Sequence, residues 1–391
     1  MIYLDHAATT SVHKHVQNAI YKSMEQDWHN PSSSYPNSLF IRNKINKVRK
    51  DIANYIHCLP EEIIFTSSGS ESNNLAIKGF LNANKKFILL IDPTSHSSIM
   101  NIKTRRSKLE VNRNGLLLPA FLIDRLDKTD KLYQCRALVT VNGANNEIGT
   151  LQDIKKISTI VHAYQGILHI DAVQLFPAQR IDVQKLGIDM MSVSGHKFGC
   201  PKGIGFLYKR KDLQLEPLIS GEQENSLRGG TENTAYIIGL GEAIQILNQT
   251  DLRLKNTYIR FKRDYFIKEL EALGNTYLVG SKSHRLPNHV NMCFKGIEAH
   301  SLLSYLQLYD IEASSGSACN SLSLSPSHAI SALSLDKADQ MCCIRFTLDE
   351  NTTIKEIDTV INIIKRFKNS ISKGVQFGND KKRIKDLIIR S

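Results

Sequence analysis

The sequence predicts an α/β protein with a mostly parallel main sheet, followed by a smaller α+β domain. Between residues 63 and 208, short apolar runs alternate with helical stretches, and after residue 250 this pattern changes. Apolar residues also recur at helical spacing over 39–56. Continuous apolar strands separated by helices are typical of parallel sheets covered on both faces. In such sheets, ligands bind at the carboxyl ends of the strands.

We expect a large domain over 15–250 and a small domain over 251–391, with residues 1–14 packing on the small one. The strands predicted in the large domain are 63–66, 87–91, 137–141, 167–170, 190–193 and 204–208, and its helices are 39–56, 71–81 and 154–164. The small domain is predicted to contain helices 253–273, 300–309 and 354–367, and strands 290–294 and 343–347. The basic stretch 374–391 is predicted to be a frayed terminal helix.

Composition excludes several classes of protein. No apolar run approaches the ~18 residues of a membrane helix, and the N-terminus lacks the basic-then-apolar pattern of a cleaved signal, so we expect a cytoplasmic protein. The net charge of +12 is scattered over local patches such as 44–50, 103–108 and 381–385 without a nucleic-acid-binding motif. Solvated faces are therefore favoured over direct nucleic-acid binding. Seven cysteines, an odd number without CxxC spacing, indicate neither a disulfide framework nor a metal site, and most should be buried, inert thiols.

One lysine follows a predicted buried strand. Lys197 stands beside His196 in a run of small and hydroxylated residues. A desolvated lysine of lowered pKa can form a Schiff base with a carbonyl cofactor such as pyridoxal phosphate (PLP). Taken alone, a lysine pointing at water is the more common reading of such a segment.

Other polar groups also follow predicted strands. The serine-rich turn 67–72 could face an anion with its backbone N–H groups, or Ser70 could simply cap the following helix. Asp171 could hold a pyridinium N–H or serve as a cap, and His96 could stack on an aromatic ring or face solvent. The tandem asparagines at 145–146 could form a turn or present an amide to a ligand.

Two residues of the predicted second domain are also candidates for a chemical role. Cys319 lies among small polar residues that favour a mobile loop. Such a loop suits a nucleophile that must enter the active site and then leave it. Arg345 stands on an apolar strand, where it could bind a carboxylate through two hydrogen bonds or form a structural ion pair.

With these residues in this order, the chain resembles the cysteine desulfurases of the NifS and IscS type, within the class V aminotransferases of the fold-type I PLP enzymes. The resemblance covers nearly the whole chain, from Tyr3 to about Ile363. Its matching stretches are 3–10, 30–33, 71–74, 144–150, 171–174, 196–197, 229–233 and 314–319.

The resemblance implies a role for each residue. Lys197 would bind PLP covalently, Asp171 would pair with the pyridine nitrogen, and His96 would stack on the ring and assist proton transfer. Cys319 would be the nucleophile that receives sulfur from L-cysteine as a persulfide, releasing alanine. The other implied contacts are Gln174 to the ring hydroxyl, Gly69, Ser70, Ser194 and His196 to the phosphate, Thr231 to the phosphate of a neighbouring subunit, and Asn146 and Arg345 to the substrate carboxylate.

The resemblance also implies partners: a homodimer, and a sulfur-acceptor protein serving iron–sulfur cluster assembly or the thiolation of tRNA or DNA. Two alternatives compete with this reading. A selenocysteine lyase or an aminotransferase would share the fold, but an aminotransferase needs no thiol like that of Cys319. A scaffold using the basic surface would not need Lys197, Asp171, His96 and Cys319 together.

Overall fold

A computed structural model describes residues 1–315 and 325–372. Cys319 and the basic stretch 374–391, which was predicted to be a frayed helix, lie outside the described residues. Within the described ranges, no helix is both long enough and apolar enough to cross a bilayer.

The strands, numbered in chain order, form three sheets. They are β1 (Ile2–Tyr3), β2 (Ile63–Thr66), β3 (Phe87–Ile91), β4 (Arg106–Lys108), β5 (Arg136–Asn142), β6 (Ile167–Asp171), β7 (Met190–Ser194), β8 (Gly205–Lys209), β9 (Thr276–Leu278), β10 (His289–Phe294), β11 (Ile311–Glu312) and β12 (Cys343–Thr347).

The helices surround these sheets. They are α1 (Lys14–Gln26), α2 (Pro36–Ile56), α3 (Gly69–Asn74), α4 (Phe80–Ala83), α5 (Ser97–Met100), α6 (Pro119–Tyr133), α7 (Ile154–Ala163), α8 (Val183–Leu186), α9 (Gln223–Ser226), α10 (Thr234–Gln249), α11 (Leu252–Glu271), α12 (Ala299–Gln307), α13 (His328–Ser331), α14 (Lys337–Gln340) and α15 (Ile354–Ser372). Single turns at Pro60–Glu62 and Gly195–Lys197 are 3-10 helices, and a π-helical segment (Leu75–Gly79) joins α3 to α4.

The largest sheet has seven strands in the order β2-β8-β7-β6-β5-β3-β4. Strands β3 to β7 pair in parallel, whereas β7 with β8 and β8 with β2 pair antiparallel. The predicted parallel pairing therefore holds for the centre of the sheet and for the edge at β4, whereas the other edge, at β8 and β2, is antiparallel. Because the parallel strands point the same way, Asp171 and Ser194, at the ends of β6 and β7, meet at one edge of the sheet.

The edge strand β4 was not predicted from the sequence. Its three polar residues, Arg106, Ser107 and Lys108, lie in a stretch that the charge pattern assigns to a solvated face. The segment is a strand and also a solvated face, because its backbone pairs with β3 while the side chains of Arg106 and Lys108 remain exposed. A strand that is exposed on its outer side shows no apolar run by which it could be recognised.

Helix α10 is also absent from the predicted elements, because residues 235–241 are apolar throughout and its charged and amide residues come only in its second half. It packs against α1 and α2 at two glycines. A Cβ at Gly239 would lie 2.6 Å from Ile20, and one at Gly241 would lie 2.5 Å from Val48. The close approach explains two glycines inside a helix, where they otherwise cost about 1 kcal/mol each relative to alanine.

The second part of the chain builds a separate apolar core around β9, β10 and β12, which form an antiparallel sheet. Leu4 is fully buried in this core, and β1 pairs with β11. The N-terminal residues therefore pack on the second core, and the predicted boundary near residue 250 falls between α10 and α11.

The six described cysteines are free thiols. Cys200, Cys293, Cys342 and Cys343 are buried, while Cys58 and Cys135 are half-buried. Among the residues that the structure describes, no cluster of three or more side chains suits a metal ion.

Candidate active site

A cavity of about 300 Å³ lies at the carboxyl ends of the parallel strands. It gathers the predicted residues of both halves of the chain at one place. Its walls include Gly69, Ser70, His96, Asn146, Asp171, Gln174, Ser194, His196, Lys197 and Arg345, together with Ala7, Ala8, Ser68, Asn73, Asn142, Ala144 and Val173. Thr231 does not line the cavity and is exposed on the surface of the single chain.

Lys197 ends the 3-10 turn that follows β7. Its Nζ donates hydrogen bonds of 2.7 Å to the carbonyl oxygens of Ala7 and Ala8. The half-buried amine therefore faces the cavity instead of bulk water. Its position excludes the reading of a lysine on a solvated loop.

The N-terminal segment also fixes the backbone around the lysine. Thr10 donates to the carbonyl oxygen of His196 through both its N–H and its hydroxyl, each at 3.0 Å. The same hydroxyl accepts the N–H of Gly199 at 3.0 Å. Sequence reasoning did not find this role for residues 7–10, although the stretch 3–10 is part of the family motif.

Asp171 ends β6 and is 6% exposed. Its Oδ2 accepts a hydrogen bond from Nδ2 of Asn73 at 2.8 Å, and its Oδ1 accepts from the N–H of Val173 at 3.0 Å. Asn73 also donates to the hydroxyl of Ser98 at 3.0 Å, so its amide connects Asp171 to the residues around His96. The Oδ1 atom of Asn73 is buried and has no hydrogen-bond partner within the described part of the chain.

His96 precedes the short helix α5 and caps it. Its Nδ1 accepts the N–H of Ser98 at 3.2 Å and lies 2.9 Å from the Ser98 hydroxyl. Since Nδ1 accepts, the proton of the neutral ring is on Nε2. Burial lowers the pKa of His96, Lys197 and His328 lower it further, and Asp171 opposes them. The ring is thus neutral near pH 7.

Helix α3 is capped by Ser68 and not by Ser70, the cap considered from the sequence. The Ser68 hydroxyl, not that of Ser70, accepts the N–H of Glu71 at 3.2 Å. A cap accepts the N–H of the second or third helical residue, which places it just before Gly69, while Ser70 is already in the first turn and exposed. The Ser70 hydroxyl is therefore available at the helix N-terminus, where anions bind.

Gly69 is required by close packing. A Cβ at this position would lie 2.6 Å from Val173 and 3.3 Å from Ser194, so a side chain would displace both. Nearby, His196 lies 3.1 Å from the hydroxyl of Thr9, and burial together with Lys197 and Lys202 lowers its pKa to about 4. His196 is consequently a neutral hydrogen-bonding group at this end of the cavity.

The structure shows the ion-pair reading of Arg345. The side chain is 2% exposed and pairs with Asp5 through Nη2 at 2.5 Å, while Nη1 donates to the carbonyl oxygen of Asn146 at 2.9 Å. Its buried Nε–H has no hydrogen-bond partner in the described ranges, although Arg345 lines the cavity. Gln174, on another wall, donates to the carbonyl oxygen of Ala7 at 2.9 Å.

The model of the aminotransferase class-V family matches residues 2–360. The chain belongs to this family. It is 38% identical to the cysteine desulfurase IscS of Dictyoglomus turgidum over 93% of this chain and 94% of that protein. A solved NifS-like protein from Rickettsia africae superposes with a TM-score of 0.85 at 30% identity, covering 94% of this chain and 99% of the other.

A further solved structure, described as SspA in complex with cysteine, matches with a TM-score of 0.76 at 30% identity, covering 90% of this chain and all of the other. These findings confirm the predicted family and the predicted fold. The family is one of PLP enzymes in general, and the site suits that group. An amine, a buried carboxylate, a neutral imidazole and a hydroxyl-rich helix N-terminus converge on a single cavity.

Proposed function

We propose that the protein is a PLP-dependent cysteine desulfurase, which converts L-cysteine to L-alanine and leaves a persulfide on Cys319. The observation that carries the proposal is the convergence of Lys197, Asp171, His96 and Arg345 on one cavity. The 38% identity to a cysteine desulfurase and the bound cysteine of a related structure support the same reaction.

The resemblance to the family indicates which part of the cofactor each residue would hold, and the chemistry of the side chains is compatible with it. Lys197 would hold the aldehyde carbon, Asp171 the pyridine nitrogen, Gln174 the ring hydroxyl, and His96 the face of the ring. Gly69, Ser70, Ser194 and His196 would hold the phosphate at the helix N-terminus. When bound, PLP supplies an electron sink for the charge left at Cα.

The Lys197 amine is the base of the reaction. The carbonyl oxygens of Ala7 and Ala8 hold Nζ near the cavity, where it would remove the Cα proton of the substrate. His96, neutral and carrying its hydrogen on Nε2, would donate a hydrogen bond from Nε2 on the same side of the cavity and so assist proton transfer.

Arg345 would bind the substrate carboxylate with Asn146. Its Nε–H has no hydrogen-bond partner within the described residues, and the ion pair with Asp5 holds the guanidinium in place. A guanidinium fixed on two sides presents its remaining donors without a further loss of side-chain freedom, which suits recognition of a carboxylate.

Cys319 is the nucleophile. Its thiolate attacks the sulfur of the substrate, an S–S bond forms, and the C–S bond breaks, with its electron pair remaining on the substrate carbon until that carbon is protonated. The products are alanine and a persulfide, so L-cysteine and one protein thiol account for all atoms and electrons. The persulfide sulfur then passes to an acceptor protein serving iron–sulfur cluster assembly or nucleic-acid thiolation.

The proposed enzyme acts as a homodimer. Thr231 is exposed in the single chain and does not reach its own cavity, which suits a hydroxyl that contacts the phosphate of a neighbouring subunit. Sedimentation should show a dimer at micromolar concentration, and a monomer alone would contradict the role of Thr231.

The function is tested on purified protein. It should be yellow, with absorbance near ~420 nm from the lysine-bound cofactor, and Lys197→Ala should be colourless. Mass spectrometry after addition of L-cysteine should show one extra sulfur on Cys319, with alanine released. Protein without PLP, or a Cys319→Ala variant that still forms the persulfide, would refute the proposal.

A further inference from the structure

Two cysteines of the second sheet lie directly opposite each other on paired strands. In the antiparallel register of β10 and β12, Cys293 is the partner of Cys343. The next pair along the ladder is hydrogen-bonded, since the N–H of Phe294 donates to the carbonyl oxygen of Cys342 at 2.9 Å. Because hydrogen-bonded and non-hydrogen-bonded pairs alternate in an antiparallel ladder, Cys293 and Cys343 form a non-hydrogen-bonded pair, the kind in which side chains are closer.

The backbone at this pair suits a disulfide bond. Non-hydrogen-bonded partners have Cα atoms about 4.5 Å apart, within the range of about 4.4 to 6.8 Å that disulfides span. Both sulfurs also lie against one atom, the carbonyl oxygen of Asp339, at 3.5 Å from Cys293 and 3.3 Å from Cys343. Rotation of the two side chains, without a shift of either strand, would therefore bring the sulfurs together.

The surroundings of the two thiols make them chemically different. A hydrogen bond from the Cys343 thiol lowers the pKa of Cys293, burial opposes this change, and the Tyr277 hydroxyl lowers the pKa further. The same hydrogen bond and burial raise the pKa of Cys343. Since the thiolate is the form that attacks an oxidant, Cys293 is the thiol expected to react first, with Cys343 beside it.

The cover over the two sulfurs is a short element. Cys293 is 0% and Cys343 is 2% exposed, and α14, a helix of four residues, lies against both sulfurs through Asp339. The side chain of Asp339 also faces Lys295, whose half-exposed ammonium lies 3.7 Å from Oδ2. Because a short surface element opens at a lower free energy than the whole domain, a small oxidant can reach the thiols without global unfolding.

We propose that Cys293 and Cys343 are a redox-active pair, which a peroxide converts to a reversible cross-strand disulfide. The Cys293 thiolate attacks one oxygen of hydrogen peroxide, the O–O bond breaks, and the leaving hydroxide is protonated to water. The Cys343 sulfur then attacks the sulfenic sulfur, an S–S bond forms, and a second water leaves. Two thiols lose two electrons in total, and hydrogen peroxide accepts them.

The disulfide would protect the strand that carries Arg345. Cys343 and Arg345 are two residues apart on β12, so their side chains lie on the same face of the sheet. The two cysteines pack there in an apolar cluster with residues such as Ile148 and Leu333. A single thiol could be oxidised to a sulfinic acid, a charged group that thiol reductants do not remove, whereas a disulfide is reduced by a dithiol.

Peptide mass spectrometry of the full-length, PLP-loaded protein tests the bond. Native protein is treated with hydrogen peroxide, free thiols are blocked with N-ethylmaleimide, and the unfolded protein is digested with trypsin. Peptide 286–295 carries Cys293, and peptide 338–345 carries Cys342 and Cys343. The joined peptides, lighter by two hydrogen atoms than their sum, should increase at least about 10-fold over untreated protein and return to the untreated level after dithiothreitol.

Two variants identify the sulfurs. Cys343→Ser should abolish the joined peptides, whereas the matched control Cys342→Ser should retain them within about 2-fold, because the Cys342 sulfur is hydrogen-bonded elsewhere, to the Ala338 carbonyl oxygen at 3.2 Å. Joined peptides at the wild-type level in Cys343→Ser would overturn the inference. So would a sulfinic acid as the main product at Cys293 in wild type, or an unmodified Cys293 at a peroxide dose that oxidises the half-buried Cys135.

The outcome is separable from the proposed desulfurase function. Lys197→Ala, which cannot hold the cofactor covalently, should form the joined peptides within about 2-fold of the wild-type amount, since the pair lies on a different sheet. If the bond forms in protein that makes no persulfide from L-cysteine, the proposed function fails and the redox pair stands. If persulfide forms but the joined peptides do not, only the redox pair is refuted.

Discussion

Replacing Arg345 by lysine tests how the substrate carboxylate is recognised. In the wild type, the buried guanidinium contacts Asp5 and the carbonyl oxygen of Asn146, and its Nε–H has no hydrogen-bond partner within the described residues. A lysine ammonium has a single nitrogen and cannot reproduce this planar arrangement while also binding the substrate. A lost hydrogen bond to a charged group costs about 1.5–3 kcal/mol, so kcat/KM for L-cysteine should fall by about 10- to 100-fold.

The control is cysteamine, which lacks only the carboxylate of cysteine. Its binding, followed by titrating the absorbance of the bound cofactor, should differ by less than about 2-fold between wild type and Arg345→Lys. If Arg345→Lys weakens cysteamine and L-cysteine equally, the substitution acts through the fold, and the role of Arg345 in carboxylate recognition is wrong.

Three further predictions concern the cavity and the core. Gly69→Ala should weaken PLP binding, measured by equilibrium dialysis, at least about 10-fold, because the added methyl group meets Val173 at 2.6 Å; wild-type affinity would show that the turn is not a binding element. Asn73→Ala removes a donor to Asp171 and should also lower PLP affinity, by about 10-fold; unchanged affinity would contradict the bridge to Asp171. Burial lowers the pKa of His169 from 6.5 to about 3, so its contribution to stability is complete above pH 6.5 and is lost as the pH falls towards 3. Between pH 7 and pH 5 this loss is about 2 kcal/mol, and urea unfolding of His169→Gln should show a correspondingly smaller decrease over that interval than wild type does.

The sequence was sufficient to predict the parallel sheet and the residues that follow its strands. Lys197, Asp171 and His96 each follow an apolar run, and residues at the carboxyl ends of parallel strands meet without any further information. The edge strand β4 and helix α10, which is apolar over 235–241, were not predicted, since neither shows a clear periodicity along its length.

The partners of the site residues were less accessible from the sequence. Ala7 and Ala8 contact Lys197 across about 190 positions, through carbonyl oxygens that every residue possesses. Asn73 and Ser98 look like ordinary helical polar residues until tertiary packing brings them to Asp171 and His96. The ion-pair reading of Arg345 could not be chosen from the sequence alone, because its partner Asp5 is 340 positions away in the chain.

The contacts of the N-terminal residues have a consequence for the time course of biosynthesis. Leu4 and Ala7 hydrogen-bond to Thr347, and β1 pairs with β11. At translation rates of about 5–20 residues per second, the ribosome adds Thr347 about 20 to 70 s after Met1. Until β11 at Ile311–Glu312 has been made, late in that interval, β1 has no strand with which to pair. The carbonyl oxygens that orient Lys197 therefore reach their places only when synthesis is nearly complete, so a nascent chain carries the lysine long before it carries an ordered site.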